Sequence, residues 1–229
     1  MRIVWFGLGL VLMVACSGFQ KKPRSSEVCL TFSIHQERSV YEQTDYGEAP
    51  QFAIWLENKE TGVIRTVFVT RRTATGDFEG KAECPVSLPA WIAAFRKETG
   101  RTDFPTPREP AETAVTGATP QVREINVKVK IPRGSNWYYF VEMNVSGDYN
   151  IRFPSICTDG MIDSQGNGQP SIIFKGEIPG KPGECSIPIL IGRTEQFYFL
   201  PEILSDLEGI ETAKEVFSMI KVTCNEGVP

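Results

Sequence analysis

The chain is poor in the residues that most often carry catalysis or hold metals. It contains one histidine, His35, among 229 residues, so a site built from several histidines is excluded. None of its six cysteines lies in a CxxC or CxxCH motif, which argues against zinc-ribbon, thioredoxin-like and c-type haem sites. The G-x-S-x-G, H-E-x-x-H and P-loop motifs are also missing. These absences favour a binding protein over an enzyme.

Long blocks of like charge are absent as well. The chain has 24 basic and 28 acidic residues and a formal net charge of −4. No stretch of five or more like charges occurs, which argues against nucleic acid and anionic lipid surfaces as partners. Internal repeats and coiled-coil heptads are missing too, so the chain from residue 28 onward is predicted to form a single domain, residues 28–229.

The one long apolar run lies at the N-terminus. It covers residues 3–14, about a dozen residues, which suits the hydrophobic part of a signal peptide and is short for a bilayer span. The run ends in Leu-Met-Val-Ala-Cys, which resembles the lipobox of bacterial lipoproteins. The resemblance implies a signal peptide over residues 1–15 and lipidation of Cys16. An ordinary secretory signal or an uncleaved anchor is the alternative.

The residues after Cys16 bear on location. Ser17 follows Cys16 in place of an acidic residue, which by analogy with bacterial lipoproteins favours the outer membrane over the inner one. Residues 16–27 are polar and predict a flexible tether. We therefore expect a protein of the cell envelope that faces the periplasm, held to the membrane through a lipid anchor.

Alternation of apolar and polar residues predicts a β-rich domain. In residues 28–35, the side chains of Val28, Leu30, Phe32 and Ile34 fall on one face. Residues 51–57 and 63–70 predict a hairpin around the turn at 58–62. Further strands are predicted at residues 122–131, 137–145, 172–178, 187–191 and 216–223, the last with Val216, Ser218, Ile220 and Val222 on one side.

One short helix is predicted to interrupt this pattern. It covers residues 85–100, with Ser87 as N-cap and Gly100 as the stop, and residues 208–214 predict one or two further helical turns. A Pro-rich loop follows at 101–110. Many short strands, many turns and one helix are typical of an antiparallel β-sandwich.

The remaining cysteines predict disulfides, because extracytoplasmic proteins work in an oxidising compartment. One or two bonds with one thiol left over are expected, and the preferred pair is Cys157 with Cys185. An unpaired thiol with a redox role is a weaker hypothesis. The candidates are Cys29, Cys84, Cys157, Cys185 and Cys224.

Four stretches resemble an uncharacterised bacterial family of predicted periplasmic proteins, a domain of unknown function. They read FAIWLENKETGVIRTVFV, LPAWIAAF, TAVTGATP and GQPSIIFKGEI. The resemblance covers most of residues 50–223 and implies an immunoglobulin-like β-sandwich in the periplasm. It implies no activity.

The stretch TAVTGATP is also similar to the signature D-x-x-[ST]-G-A-[ST] of periplasmic flavoproteins. That resemblance implies covalent FMN on the hydroxyl of Thr119, with Thr116 and Gly117 shaping the attachment turn and Ala118 leaving room for the transferase. The Asp of the signature falls at Thr113 here, so a tight turn with Gly117 at positive φ is the alternative.

A second loop, residues 159–168, is similar to an EF-hand at Asp163, Asn167 and Gly168. Its third ligand position is Gln165, and the twelfth is Phe174 where a calcium loop needs Glu. The pattern therefore predicts a solvated turn without metal.

Two functions are compatible with these observations. The first is a lipid-anchored binding module that recognises another envelope protein or a small ligand, without nucleic acid as a partner. The second is a periplasmic electron carrier with covalent FMN on Thr119.

Overall fold

A computed structural model describes residues 26–78, 84, 87–111, 115–117 and 120–227, with the backbone alone at 115–117. Cys16, Ala118 and Thr119 lie outside the described residues, as do the predicted signal peptide and almost all of the predicted tether.

The described chain contains ten strands and four short helices. The strands are β1 (Glu27–Gln36), β2 (Gln51–Asn58), β3 (Ile64–Thr70), β4 (Val115–Gly117), β5 (Glu124–Pro132), β6 (Asn136–Asn144), β7 (Ile172–Pro179), β8 (Cys185–Ser186), β9 (Ile189–Arg193) and β10 (Phe217–Glu226). The helices are α1 (Arg38–Tyr41), α2 (Arg71–Thr75), α3 (Pro89–Thr99) and α4 (Ala213–Val216).

The strands form two sheets. One sheet has the order β5-β1-β10-β8, and the other has the order β4-β3-β2-β6-β7-β9. Neighbouring strands are antiparallel except β3 and β4, which pair in parallel over three residues. The prediction of a mainly β protein with the layout of a β-sandwich is confirmed.

Alternation in the sequence explains how the sheets bury their inner faces. The β1 residues Val28, Leu30, Phe32 and Ile34 are fully buried. Val127 of β5 and Val222 of β10 lie on either side of Phe32. The predicted inner face of β1 is therefore confirmed. Apolar burial of this kind contributes roughly 25 cal/mol per Å².

The outer face of the larger sheet has its own apolar layer under α3. Trp91 and Phe95 of the helix are fully buried, and they pack in one cluster with Trp55 and Phe140. The rings of Trp55 and Phe140 stack with centroids 5.0 Å apart and planes 6° apart. The helical stripe in the sequence is thus core-facing, as expected.

The helices and the last strand differ from their predictions in number, capping residue and buried face. The one inserted helix that the sequence predicts is α3, and the helical turn expected at residues 208–214 is found slightly later as α4, whereas α1 and α2 were not predicted. Helix α3 begins at Pro89, and its N-cap position is Leu88 and not Ser87.

The predicted inner face of the last strand was also wrong in part. Ser218 is exposed, because a β-bulge opposite residues 35–36 shifts the register at the start of β10. The buried face from there on comprises Ile220, Val222 and Cys224.

The two ends of the sandwich are different. The chain enters at Glu27, which pairs with Pro132. The turn that follows Pro132 leads to Asn136, and the next residue, Trp137, pairs with Asn58. This end, where the chain arrives from the predicted tether, is called the tether end below. The start of β2 and the end of β3 lie at the opposite end.

Candidate ligand cavity

A cavity of about 510 Å³ lies at the end of the sandwich opposite the tether end. Its volume is within the range of small-molecule sites. The walls come from the segment before β2, the helix α2, the segment before α3 and the loop between β6 and β7. The described lining residues are Asp45, Tyr46, Glu48, Gln51, Arg72, Phe78, Cys84, Ser87, Ser146 and Gln165.

Tyr46 forms one wall and is held by two glycines. A Cβ on Gly147 would lie 2.7 Å from the Tyr46 ring, and a Cβ on Gly166 would lie 2.5 Å from its hydroxyl. Both glycines have positive φ, 74° and 67°, and the amide of Gly147 donates to the carbonyl of Gly166 at 2.8 Å. Only residues without a Cβ allow the ring to lie this close.

The hydroxyl of Tyr46 interacts with that of Tyr149. Burial raises the pKa of Tyr149 above its ordinary value, and this interaction adds to the effect. Although Tyr46 is 47% exposed, its ring is fixed by both the glycines and Tyr149. It offers a cavity ligand a prepared aromatic surface.

The floor of the cavity is polar and internally bonded. Thr70 donates to the Gln51 side-chain oxygen at 2.8 Å and accepts from the amide of Phe52 at 3.2 Å. Arg72 forms an ion pair with Glu48. Charge and amide groups are thus oriented before any ligand arrives, which lowers the entropy cost of binding.

The loop between β6 and β7 is compact, and the prediction of a solvated turn at residues 159–168 was wrong only in part, since Asp159 and Gly160 are exposed and residues 166–168 are buried. Asp163 is 8% exposed and accepts from the amide of Gly168 at 2.8 Å. Asn167 is fully buried, and its amide donates to the carbonyl of Gln196 at 3.0 Å. The carboxylate of Asp163 therefore stabilises the loop through an internal hydrogen bond instead of binding a metal ion.

Cys84 joins this loop to the segment before α3. Its thiol donates to the Asn167 side-chain oxygen at 3.7 Å, and the sulfur lies in the cavity wall. The same Asn167 offers its carbonyl to the side chain of Asn144 at 3.2 Å. A network of buried amides thus fixes the shape of this wall.

The structure corrects the tight-turn interpretation of TAVTGATP in part. Residues 115–117, which include Thr116 and Gly117, form β4 along β3, with Thr116 beside Val69 and Gly117 beside Thr70. Both residues are therefore extended. Because Thr70 is bonded to Gln51 in the cavity floor, the stretch leaves the sheet at the cavity end.

Glu142 is a buried carboxylate that the sequence did not reveal. It accepts from the amides of Ala90 and Trp91 at 3.2 and 2.6 Å, and from the hydroxyl of Ser171 at 2.6 Å. Burial raises its pKa to about 7, against the effect of these bonds. Glu142 thus replaces the predicted Ser87 as the group that satisfies the N-terminus of α3.

The predicted disulfides are absent among the described residues. Cys29, Cys157, Cys185 and Cys224 are thiols in the structure, and so Cys157 is not bonded to Cys185. Cys157 lies next to the isolated bridge between Ile156 and Ile162, outside both sheets, whereas Cys185 pairs with Thr223 in the four-stranded sheet. The two therefore do not bracket one hairpin as predicted.

His35 lies at the outer face of its strand, with a side chain 21% exposed. Its Nδ1 contacts Glu124, and its Nε2 accepts from Arg123 at 2.9 Å. Glu37 completes this surface cluster at 3.2 Å. No group of three or more His, Cys, Asp or Glu side chains in the described part of the chain is arranged to hold a metal ion.

Compared with known protein families, with curated proteins and with solved structures, the chain matches none. The resemblance to a periplasmic family therefore stays a prediction. Across the residues that the structure describes, no helix combines the length and the apolar character that a membrane span requires.

Proposed function

We propose that this protein is a lipid-anchored binding module of the cell envelope that holds a small molecule in the cavity of about 510 Å³. The observation that carries the proposal is the preorganised cavity, with the Tyr46 ring fixed on Gly147 and Gly166. Oriented polar groups beside an aromatic wall are typical of ligand sites.

The position of the cavity supports the lipid-anchor part of the proposal. Anchoring through Cys16 would tie the membrane to the tether end, where β1 begins. The cavity lies at the other end, beside Gln51 at the start of β2. A ligand or a second envelope protein could then reach the cavity while the anchor stays in the membrane.

An immunoglobulin-like arrangement belongs to the same proposal. Among the described strands the chain changes sheets six times, at the connections β1–β2, β4–β5, β5–β6, β7–β8, β8–β9 and β9–β10, and the first and last strands pair antiparallel along their lengths. These crossings support a sandwich of this kind, which commonly presents binding loops at one end.

Native mass spectrometry of the full-length protein extracted from its own envelope tests the binding function. We expect a noncovalent small-molecule adduct that disappears in Ser146→Trp, because the indole would occupy the cavity. Ser164→Trp, in the exposed part of the neighbouring loop, is the matched control and should keep the adduct. A wild-type protein without any adduct, or equal adducts in both variants, would contradict the proposal.

Covalent FMN on Thr119 is the second candidate. The observation in its favour is that β4 ends at Gly117, beside Thr70 at the cavity end. A flavin bonded through its phosphate to the Thr119 hydroxyl would begin two residues beyond this point. Thr116 and Gly117, which are extended in β4, would present the attachment segment, and the small side chain of Ala118 would leave room for the transferase.

Intact mass measured under denaturing conditions tests the second candidate. The protein is co-expressed with a flavin transferase, and we expect the mass of FMN to be present in the wild type and lost in Thr119→Ala. Thr113→Ala is the control and should keep the flavin. Unmodified wild-type protein under these conditions would exclude covalent FMN on Thr119. It would not affect the proposal of a noncovalent ligand in the cavity, which native mass spectrometry tests separately.

A further inference from the structure

The outer face of the four-stranded sheet carries a row of exposed lysines. In the register of β1, Cys29 lies beside Lys130, Thr31 beside Lys128, and Ser33 beside Lys221. All three lysines are exposed. Of the outward positions next to them, Asn126, Thr223 and Asn225 are polar and neutral and Met219 is apolar, and the acidic Glu124 lies beyond Asn126 at the far end of the face. We call Lys128, Lys130 and Lys221 the basic face.

Arg65 extends the basic face around the edge of β5. It is exposed on β3, and its guanidinium crosses to donate to the carbonyl of Lys130 at 2.8 Å. A groove of about 310 Å³ runs between the two strands, with Arg65, Lys128 and Lys130 in its wall. Glu27 also lines the groove, so three positive charges face one negative charge.

The basic face lies close to the point where the tether joins the sandwich. Lys130 lies two residues before Pro132, the partner of Glu27, and pairs with Cys29. The tether itself adds Lys21, Lys22 and Arg24. Fully extended, the chain from Cys16 to Ser26 would reach at most about 35 Å, which keeps this part of the sandwich near the anchored membrane.

We propose that the basic face docks on the anionic phospholipid headgroups of the membrane that holds the lipid anchor. The inference rests on the proposed anchoring through Cys16. Phosphate groups of the lipids complement Lys128, Lys130 and Arg65, and each basic group near an anionic surface strengthens binding roughly fivefold. A lipid chain combined with a cluster of basic residues anchors a protein stably to a membrane.

Docking of the basic face would orient the sandwich relative to the membrane, in addition to holding it at the membrane surface. The lysines come from β5 and β10 and the arginine from β3. Antiparallel pairing of β5 and β10 with β1 brings the lysines together, and the hydrogen bond to Lys130 brings Arg65 across from the other sheet, although no run of like charge exists in the sequence. The expectation that anionic lipid surfaces are not partners rested on the missing charge run, and the basic face is the reason to revise it.

Binding to vesicles tests the docking without relying on acylation. The mature chain with Cys16→Ser is mixed with phosphatidylcholine vesicles that contain or lack phosphatidylglycerol, and the bound fraction is measured by cosedimentation. We expect binding to the anionic vesicles that disappears at about 1 M salt, where the Debye length is roughly 3 Å. Lys128→Glu combined with Lys130→Glu should weaken binding by roughly tenfold or more.

The matched control is Lys97→Glu combined with Lys214→Glu. It makes the same charge change at exposed sites on α3 and α4, away from the basic face, and should change binding less than the first pair. Equal binding to both vesicle types, or equal losses in both double variants, would overturn the proposal. Intact mass of the native protein reports acylation of Cys16 separately, so a failed anchor and a failed docking surface are told apart.

Discussion

The carboxylate of Glu142 accepts a hydrogen bond of 2.6 Å from the backbone amide of Trp91. It thereby joins β6 to the first turn of α3 across 51 positions of sequence. The helix covers the outer apolar layer and leads out of the segment that lines the cavity, so this bond connects the stability of the sandwich to the shape of the site.

Replacing Glu142 with Gln should change how stability depends on pH. Burial raises the pKa of Glu142 from 4.5 to about 7, so the folded protein binds this proton more tightly than the unfolded chain. Protonation of Glu142 therefore stabilises the folded protein. This contribution is fully present below pH 4.5 and is lost as pH rises through 7. Between pH 5 and pH 8 we expect the free energy of unfolding of the wild type to fall by about 2 kcal/mol. The free energy of unfolding of Glu142→Gln should not show this fall.

Urea denaturation at pH 5 and pH 8 measures this difference. Glu202→Gln, which alters an exposed carboxylate, should retain the wild-type pH dependence. Identical pH dependence in the wild type and Glu142→Gln would show that the carboxylate keeps its ordinary pKa and would remove this explanation of the helix N-terminus.

Alanine at Gly147 should disturb the Tyr46 wall. A new Cβ would meet the ring at 2.7 Å, and the backbone φ of 74° is strained for any side chain. Gly160→Ala separates these effects, because Gly160 has a φ of 87° and no atom within 4 Å of the added Cβ. Backbone strain alone costs about 1 kcal/mol.

We expect Gly147→Ala to be destabilised by more than Gly160→Ala in the same denaturation measurement. The cavity adduct seen by native mass spectrometry should also weaken only in Gly147→Ala. If both variants lose the same stability and both keep the adduct, the contact between Gly147 and Tyr46 does not shape the cavity.

Cysteine labelling should follow exposure. Cys185 is exposed, Cys157 is half-buried, and Cys224 is 1% exposed. Burial also raises the pKa of the Cys224 thiol, and the thiolate is the reactive form. Alkylation of the native protein without reductant, followed by peptide mass spectrometry, should therefore modify Cys185 first and Cys224 last. A Cys157–Cys185 peptide that resists alkylation until reduction would restore the predicted disulfide.

Local patterns in the sequence predicted the strands well, and they did so for a physical reason. The alternation of Val28, Leu30, Phe32 and Ile34 directly encodes which face of β1 is buried, because side chains alternate across a strand. The stripe of Trp91 and Phe95 encodes the buried side of α3 in the same way. Such signals require only neighbouring residues.

The cavity could not be predicted because its parts meet only through tertiary packing. Tyr46 needs the two glycines of a loop about a hundred residues away. Glu142 lies on the same face of β6 as Phe140 and Tyr138, and α3, which is distant in the sequence, covers its carboxylate. The glycines at 147 and 166 looked like ordinary turn residues, although the close approach of Tyr46 requires them.

Protein-observed NMR with a library of small fragments tests the central claim most directly, since it requires no knowledge of the natural ligand. We predict that bound fragments shift the amide signals of Tyr46, Ser146 and Gln165 and leave the tether-end turn at residues 59–62 unchanged, and that Ser146→Trp abolishes these shifts. Fragments that bind only elsewhere, or none that perturb the cavity, would contradict the account.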